Sequence, residues 1–195
     1  MVKRISRSRA RTRKARLRAF LRWFCYSVVL LFFYLWEVAP LIRGWCPLLI
    51  IPLATAVAMF EGEFAAGIFG VVCGFMLDVA SGTLIGFSSM WLLVICPTIS
   101  LLGQFWLKRS WLSHLVMNSI AVVFICLMDF LFLHWVWERE SSGISFVHSL
   151  LPAYLWAILL SLPVYFLVRL ISTRFRPKEE RRLEEAVSDN AEEEE

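Results

Sequence analysis

GIFGVVCGFMLDVASGTLIGFSS, residues 67–89, is the stretch on which the fold turns. Gly67, Gly70, Gly74 and Asp78 stand three, four and four residues apart, so on a helix they form a single stripe. Glycines in such a stripe leave bare backbone. Another helix can then approach closely enough for dispersion and weak Cα–H contacts to hold it. Asp78, with Ser81 and Gly82 after it, reads as the end of that helix and a tight turn, and Gly86 and Ser88 open the next one. A carboxylate at this point can accept backbone N–H bonds from the incoming helix, whose N-terminus attracts negative charge. Structural capping is therefore favoured for Asp78 over a chemical role.

Outward from this stretch, the composition is that of a membrane protein. Of 195 residues, 59% are hydrophobic and 15% aromatic, with a mean hydropathy of +0.67. These values exclude a soluble globular enzyme, a coiled coil and a disulfide scaffold. Cys25, Cys46, Cys73, Cys96 and Cys126 lie in or beside apolar runs, without a CxxC pair or a histidine at zinc-ligand spacing. They read as small buried hydrophobes. Charged residues divide the rest into an all-α polytopic bundle of six expected helices, at about 23–42, 45–60, 64–80, 84–107, 111–137 and 146–171. The second and third are short, and a re-entrant pair at this point would preserve the same sidedness.

Eighteen of the twenty Lys and Arg fall on one expected side of these segments, and only Arg43 and Arg139 fall on the other. This positive-inside asymmetry predicts cytoplasmic N and C termini. Residues 1–22 form a basic tail with ten cationic side chains and no acid, among them Arg11, Arg13, Lys14, Arg16, Arg18 and Arg22. Beside a first span, such a tail is expected to bind anionic lipid at the inner membrane face, each charge contributing on the order of 1 kcal/mol. Nucleic acid is not expected as a partner, because no nucleic-acid-reading fold accompanies the basic run. Residues 173–195 form a charged tail ending in AEEEE, too polar to bury a core. Tryptophans near the span ends, including Trp23, Trp36, Trp106 and Trp111, suit interfacial anchoring or lipid-facing bulk equally.

The segment GVVCGFMLDVASGTLIGFSS, residues 70–89, resembles the signature of the rod-shape-determining MreD family. In that signature glycines precede an aspartate, a Ser-Gly turn follows, and another glycine comes four residues later. Here those positions are Gly70, Gly74, Asp78, Ser81, Gly82 and Gly86. The resemblance extends over about residues 20–172, with Pro47 at the start of the second span also fitting. Its specific part is this one segment, and the two charged tails depart from the family's compact pattern. The resemblance implies a non-catalytic subunit of the bacterial elongasome in the cytoplasmic membrane. Such a subunit binds MreC and helps couple MreB filaments to peptidoglycan synthesis by RodA and a class B penicillin-binding protein. It also implies a bundle similar to the substrate-binding subunits of energy-coupling-factor transporters, and hence the alternative of a vitamin- or metal-binding importer subunit.

The remaining polar positions are few. Asp129 is expected deep in its helix, where an ionisable group invites a functional hypothesis. An interhelical hydrogen bond, to Asn118, His134 or a serine, is favoured over a ligand site lined by Asn118, Asp129 and His134. His114 and His134 are too far apart on one helix to share a metal, and His148 has no evident partner. Pro97, Pro152 and Pro163 are expected to bend their helices, freeing carbonyls that Ser100 or Ser161 could satisfy. No GxSxG, HExxH or phosphate-binding glycine loop is present, so an enzyme is the least supported class and no cofactor is expected. The expectation that follows is a scaffold whose Gly67–Asp78 stripe receives a partner protein.

Overall fold

A computed structural model describes the backbone of residues 2–39, 48–82, 84–105, 110–136 and 151–175, and their side chains except at 2–16, 105, 133–136 and 151–152. All regular structure among the described residues is helical: α1 (Val2–Val38), α2 (Ile50–Phe60), α3 (Glu63–Ser81), α4 (Phe87–Phe105), α5 (Trp111–Val136), α6 (Leu151–Leu159) and α7 (Ser161–Phe175). Four segments are long and apolar enough to cross a bilayer: Leu17–Val38, Glu63–Ser81, Phe87–Gln104 and Trp111–Phe132. A fifth arises if the bent pair Ala153–Leu159 and Ser161–Phe175 is one crossing. The chain is an all-α, multi-pass membrane protein.

The contacts divide it into two units, Met1–Val28 with Leu170–Glu195, and Val29–Arg169. In the first, the basic run is helical and continuous with the apolar residues after it, so no helix start marks residue 23. The sequence explains this, because no Gly or Pro precedes Pro40 and the run is rich in Arg, Lys, Ala and Leu, all good helix formers. Ser27 Oγ donates to the Trp23 carbonyl at 3.0 Å, and Trp23 meets Tyr26 edge-on at 5.8 Å.

In the second unit α2 is the core. All eleven of its residues are buried. Apart from Thr55 the helix is apolar on every side and has no face to offer water, and Ala54, Ala56 and Ala58 let neighbours come close. It is surrounded by α3, α4 and α5, with a smaller contact to α6. At 1.5 Å per residue it is roughly 16 Å long, about half of a hydrocarbon core. The expected second span is thus a short enclosed helix here, and residues 40–47 lie outside the described set. Glu37, the single charge in the first apolar run, lies against the amides of Leu49 and Ile50 at the N-terminus of α2, without closing a hydrogen bond to either.

Of the three prolines expected to bend their helices, Pro152 stands in the first turn of α6, where proline removes no intrahelical bond, and the other two differ from each other. In α4, Pro97 stands within an unbroken helix and its ring packs toward Gly67. The expected last span instead breaks between Leu159 and Ser161 with a 47° bend. Pro163 explains the position, since its ring clashes with the carbonyl four residues earlier, that of Leu159. Ser161 Oγ donates to the Ile158 carbonyl at 2.7 Å beside this break. Ser100 does something else: its hydroxyl donates to the Glu61 carbonyl at 2.7 Å, closing the C-terminal end of α2.

Candidate functional site: the glycine seam and the buried polar groups

The glycine stripe of α3 is occupied by α4 of the same chain. A Cβ built on Gly74 would stand 2.4 Å from Ser89 Cα and 2.5 Å from Ser89 N, and one on Gly70 would stand 2.8 Å from both Cys96 Sγ and the Leu92 carbonyl. Gly67 is less crowded, with Pro97 Cγ at 3.2 Å. The seam therefore tightens from Gly67 toward the turn. A second protein cannot lie flush on this ridge without displacing α4, which corrects the expectation of an intermolecular docking face. The stripe is a helix-packing surface, and the helix it receives is its neighbour in sequence.

At the tight end of the seam Asp78 is fully buried. One carboxylate oxygen accepts the Gly86 N–H at 2.8 Å and the other the Ser88 N–H at 3.1 Å. Asp78 thus caps α4 across the turn and satisfies two of the donors that every helix start leaves open. Gly82 ends α3 in the left-handed region, at φ 63°, and Gly86 precedes α4 at φ 98°. A side chain would be strained at either position. Ser81 is exposed in the last turn of α3, and residue 83 lies outside the described set. Ser89 Oγ adds a bond to the Val71 carbonyl at 3.2 Å. Ser89 could have been suspected from the polar pair Ser88-Ser89 opposite small residues, but Leu92 and Cys96 carried no signal.

The polar residues of α5 separate into two sites. Asn118, fully buried, meets Thr55 of α2: the Thr55 hydroxyl stands 2.9 Å from Asn118 Oδ1, 3.1 Å from the Pro52 carbonyl and 3.5 Å from His114 Nε2. His114 stacks on Tyr165 of α7 with ring centroids 5.0 Å apart, and Tyr165 in turn meets Phe60 at 5.6 Å. Asp129 is bonded elsewhere, accepting from the Tyr154 hydroxyl of α6. Eleven residues of helix, roughly 16 Å, separate Asn118 from Asp129, so the two do not line one chamber. His134 belongs to the backbone of α5 with its side chain outside the described set, and His148 lies outside it altogether. Thr55 was visible in the sequence as the sole polar residue between Leu48 and Phe60. Tyr154 and Tyr165 were hidden among ordinary span aromatics.

Of the basic tail, Arg18 is exposed and Arg22 buried, and the side chains of Arg11, Arg13, Lys14 and Arg16 lie outside the described set. Among the described residues no three His, Cys, Asp or Glu side chains converge to hold a metal ion. What the arrangement supports chemically is hydrogen bonding and close helix contact. In comparisons with known proteins, no family, no curated protein and no solved structure matches this chain.

Proposed function

We propose that this protein is a non-catalytic scaffold subunit of the bacterial cell-elongation machinery, of the MreD type. The observation that carries the reading is the segment 70–89. Every glycine and the aspartate of the resemblance have a specific structural task there: Gly70 and Gly74 in the close seam, Asp78 as the cap, Gly82 and Gly86 at positive φ. A segment in which each of these residues has such a task differs from a chance run of small residues. The described helices supply four to five crossing segments, and the reading adds a sixth, at the short α2, to reach a bundle similar to energy-coupling-factor binding subunits. The charge asymmetry favours both termini in the cytoplasm of a bacterial cell, which requires an even number of crossings and hence that the segment containing α2 counts as one, and it sets the basic start of α1 against anionic lipid.

In this reading the protein binds MreC, and through it reaches MreB, RodA and a class B penicillin-binding protein. Because the α3–α4 seam is filled, MreC meets another face of the bundle. The importer alternative requires a chamber shared by the polar residues of α5, and Asn118 and Asp129 are bonded to different helices, so the scaffold is favoured. Depletion in the native bacterium, followed by microscopy, separates the two. Rounding of the cells, reversed by the intact gene, supports the scaffold. Unchanged shape with impaired uptake of a vitamin or metal refutes it.

A further inference from the structure

The hydrogen-bond capacities around Thr55 do not close within the protein. The Thr55 hydroxyl has one proton and three groups in reach that can accept it, the Pro52 carbonyl, Asn118 Oδ1 and, in the tautomer that leaves it bare, His114 Nε2. If it donates to Asn118, the Asn118 NH₂ group has no partner; if it donates to Pro52 or His114, the amide can turn over and donate to Thr55, leaving its oxygen without one. Either orientation leaves one end of the Asn118 amide open, and as placed that end is Nδ2, buried and unpaired. His114 directs Nε2 at Thr55, so its Nδ1 is left buried and unpaired on the other edge of the ring. The Tyr165 hydroxyl is a third such group. These three side chains are at most 1% exposed.

Buried polar atoms without partners are rare, because each forfeits its bonds to water and gains none in return. Three of them fall on side chains that already meet one another through Thr55 and the His114–Tyr165 stack, so one small occupant could serve more than one. Its chemistry follows from the open capacities: an acceptor or donor at Asn118, an acceptor or donor at His114 Nδ1, and both at Tyr165. The occupant must therefore donate and accept at once. It must also be neutral, since the cluster has no acidic or permanently cationic side chain and an unpaired ion is costly to bury. It must be small, since the ring of Tyr165 lies against His114 and Phe60 on either side.

We propose that Thr55, His114, Asn118 and Tyr165 form an internal hydration site, in which one or two water molecules bridge His114 Nδ1, the Asn118 amide and the Tyr165 hydroxyl. Water with two to four polar partners is the smallest molecule that fits these demands. The site ties the enclosed α2 to α5 and α7 through solvent, and it does not depend on the elongation-machinery reading.

Two measurements on the full-length protein in detergent test it. An experimental structure that resolves ordered water should show a peak within about 3.2 Å of at least two of the three groups. A structure in which these groups instead bond one another, or in which a larger solute fills the site, overturns the proposal. Independently, Tyr165→Phe and Asn118→Leu each remove one end of the bridge. Bridged groups should be coupled, the double variant losing less than the product of the single losses in unfolding equilibrium, by about threefold or more. Additive losses overturn it. Tyr165→Phe alone, which keeps the ring stack, guards against a cycle lost to misfolding.

Discussion

Replacing Gly74 by alanine adds one carbon and should break the tightest contact in the bundle. In an unconstrained helix this change stabilises by about 0.5–1 kcal/mol, because glycine loses more backbone freedom on folding. Here the new Cβ meets Ser89 Cα at 2.4 Å, Ser89 N at 2.5 Å and Ser88 C at 2.8 Å. All three are backbone atoms, so no side chain can swing aside. Restoring ordinary contact requires α4 to retreat by about 1 Å. Its first turn is pinned by Asp78 through two short bonds and by Ser89 through a third. Overpacking of this kind costs about 1–3 kcal/mol, and stretching a bond to a buried carboxylate about 1.5–3 kcal/mol more, so after the propensity gain a net loss of about 2–5 kcal/mol is expected. Thermal unfolding of the purified protein in detergent measures it. Gly103→Ala is the control, since its nearest neighbour is Met59 Cγ at 3.9 Å and the propensity gain should survive. If Gly74→Ala unfolds at the same temperature as the parent, the close seam does not exist as described.

Asp78→Asn should destabilise by about 1–3 kcal/mol in the same assay, because an amide can accept one of the two N–H bonds but not both and lacks the charge that suits a helix start. Gly82→Ala and Gly86→Ala should each cost about 1 kcal/mol from φ alone, with nothing crowding the new Cβ, and their losses should be independent of the Gly74 variant's contact. Tyr154→Phe should cost about 0.6–1.7 kcal/mol, in the range measured for hydrogen bonds between membrane helices. Asp129→Asn combined with it should lose little further, because both remove the same bond; a double-mutant cycle on thermal unfolding reads the coupling.

The helical, membrane-crossing character was legible because charge and apolarity are segregated along the chain, and no tertiary information is needed to see it. The spacing of Gly67, Gly70, Gly74 and Asp78 identified a face and a cap, but spacing alone cannot say which helix comes to lie on that face. A neighbour in sequence has a large entropic advantage over a separate molecule, since the short turn through Gly82 and Gly86 already holds α4 beside α3. The pairing of Asp129 with Tyr154, and of Asn118 with Thr55, was out of reach for a related reason. A single polar atom in an apolar span names no partner until the rotation of each helix is fixed by packing. The charge count likewise marked residue 22 as a boundary in polarity, and the backbone, lacking any breaker there, runs through it.

The enclosed α2 also constrains how the protein is made. Roughly 16 Å of helix cannot by itself bridge the hydrocarbon, so this segment gains its resting place only when α3, α4 and α5 have arrived around it. Lateral release of successive crossings into lipid must be followed by a distinct assembly stage, and a nascent chain halted soon after Phe60 has no partners for this segment. Quality control that samples half-built membrane proteins would find its target in that interval.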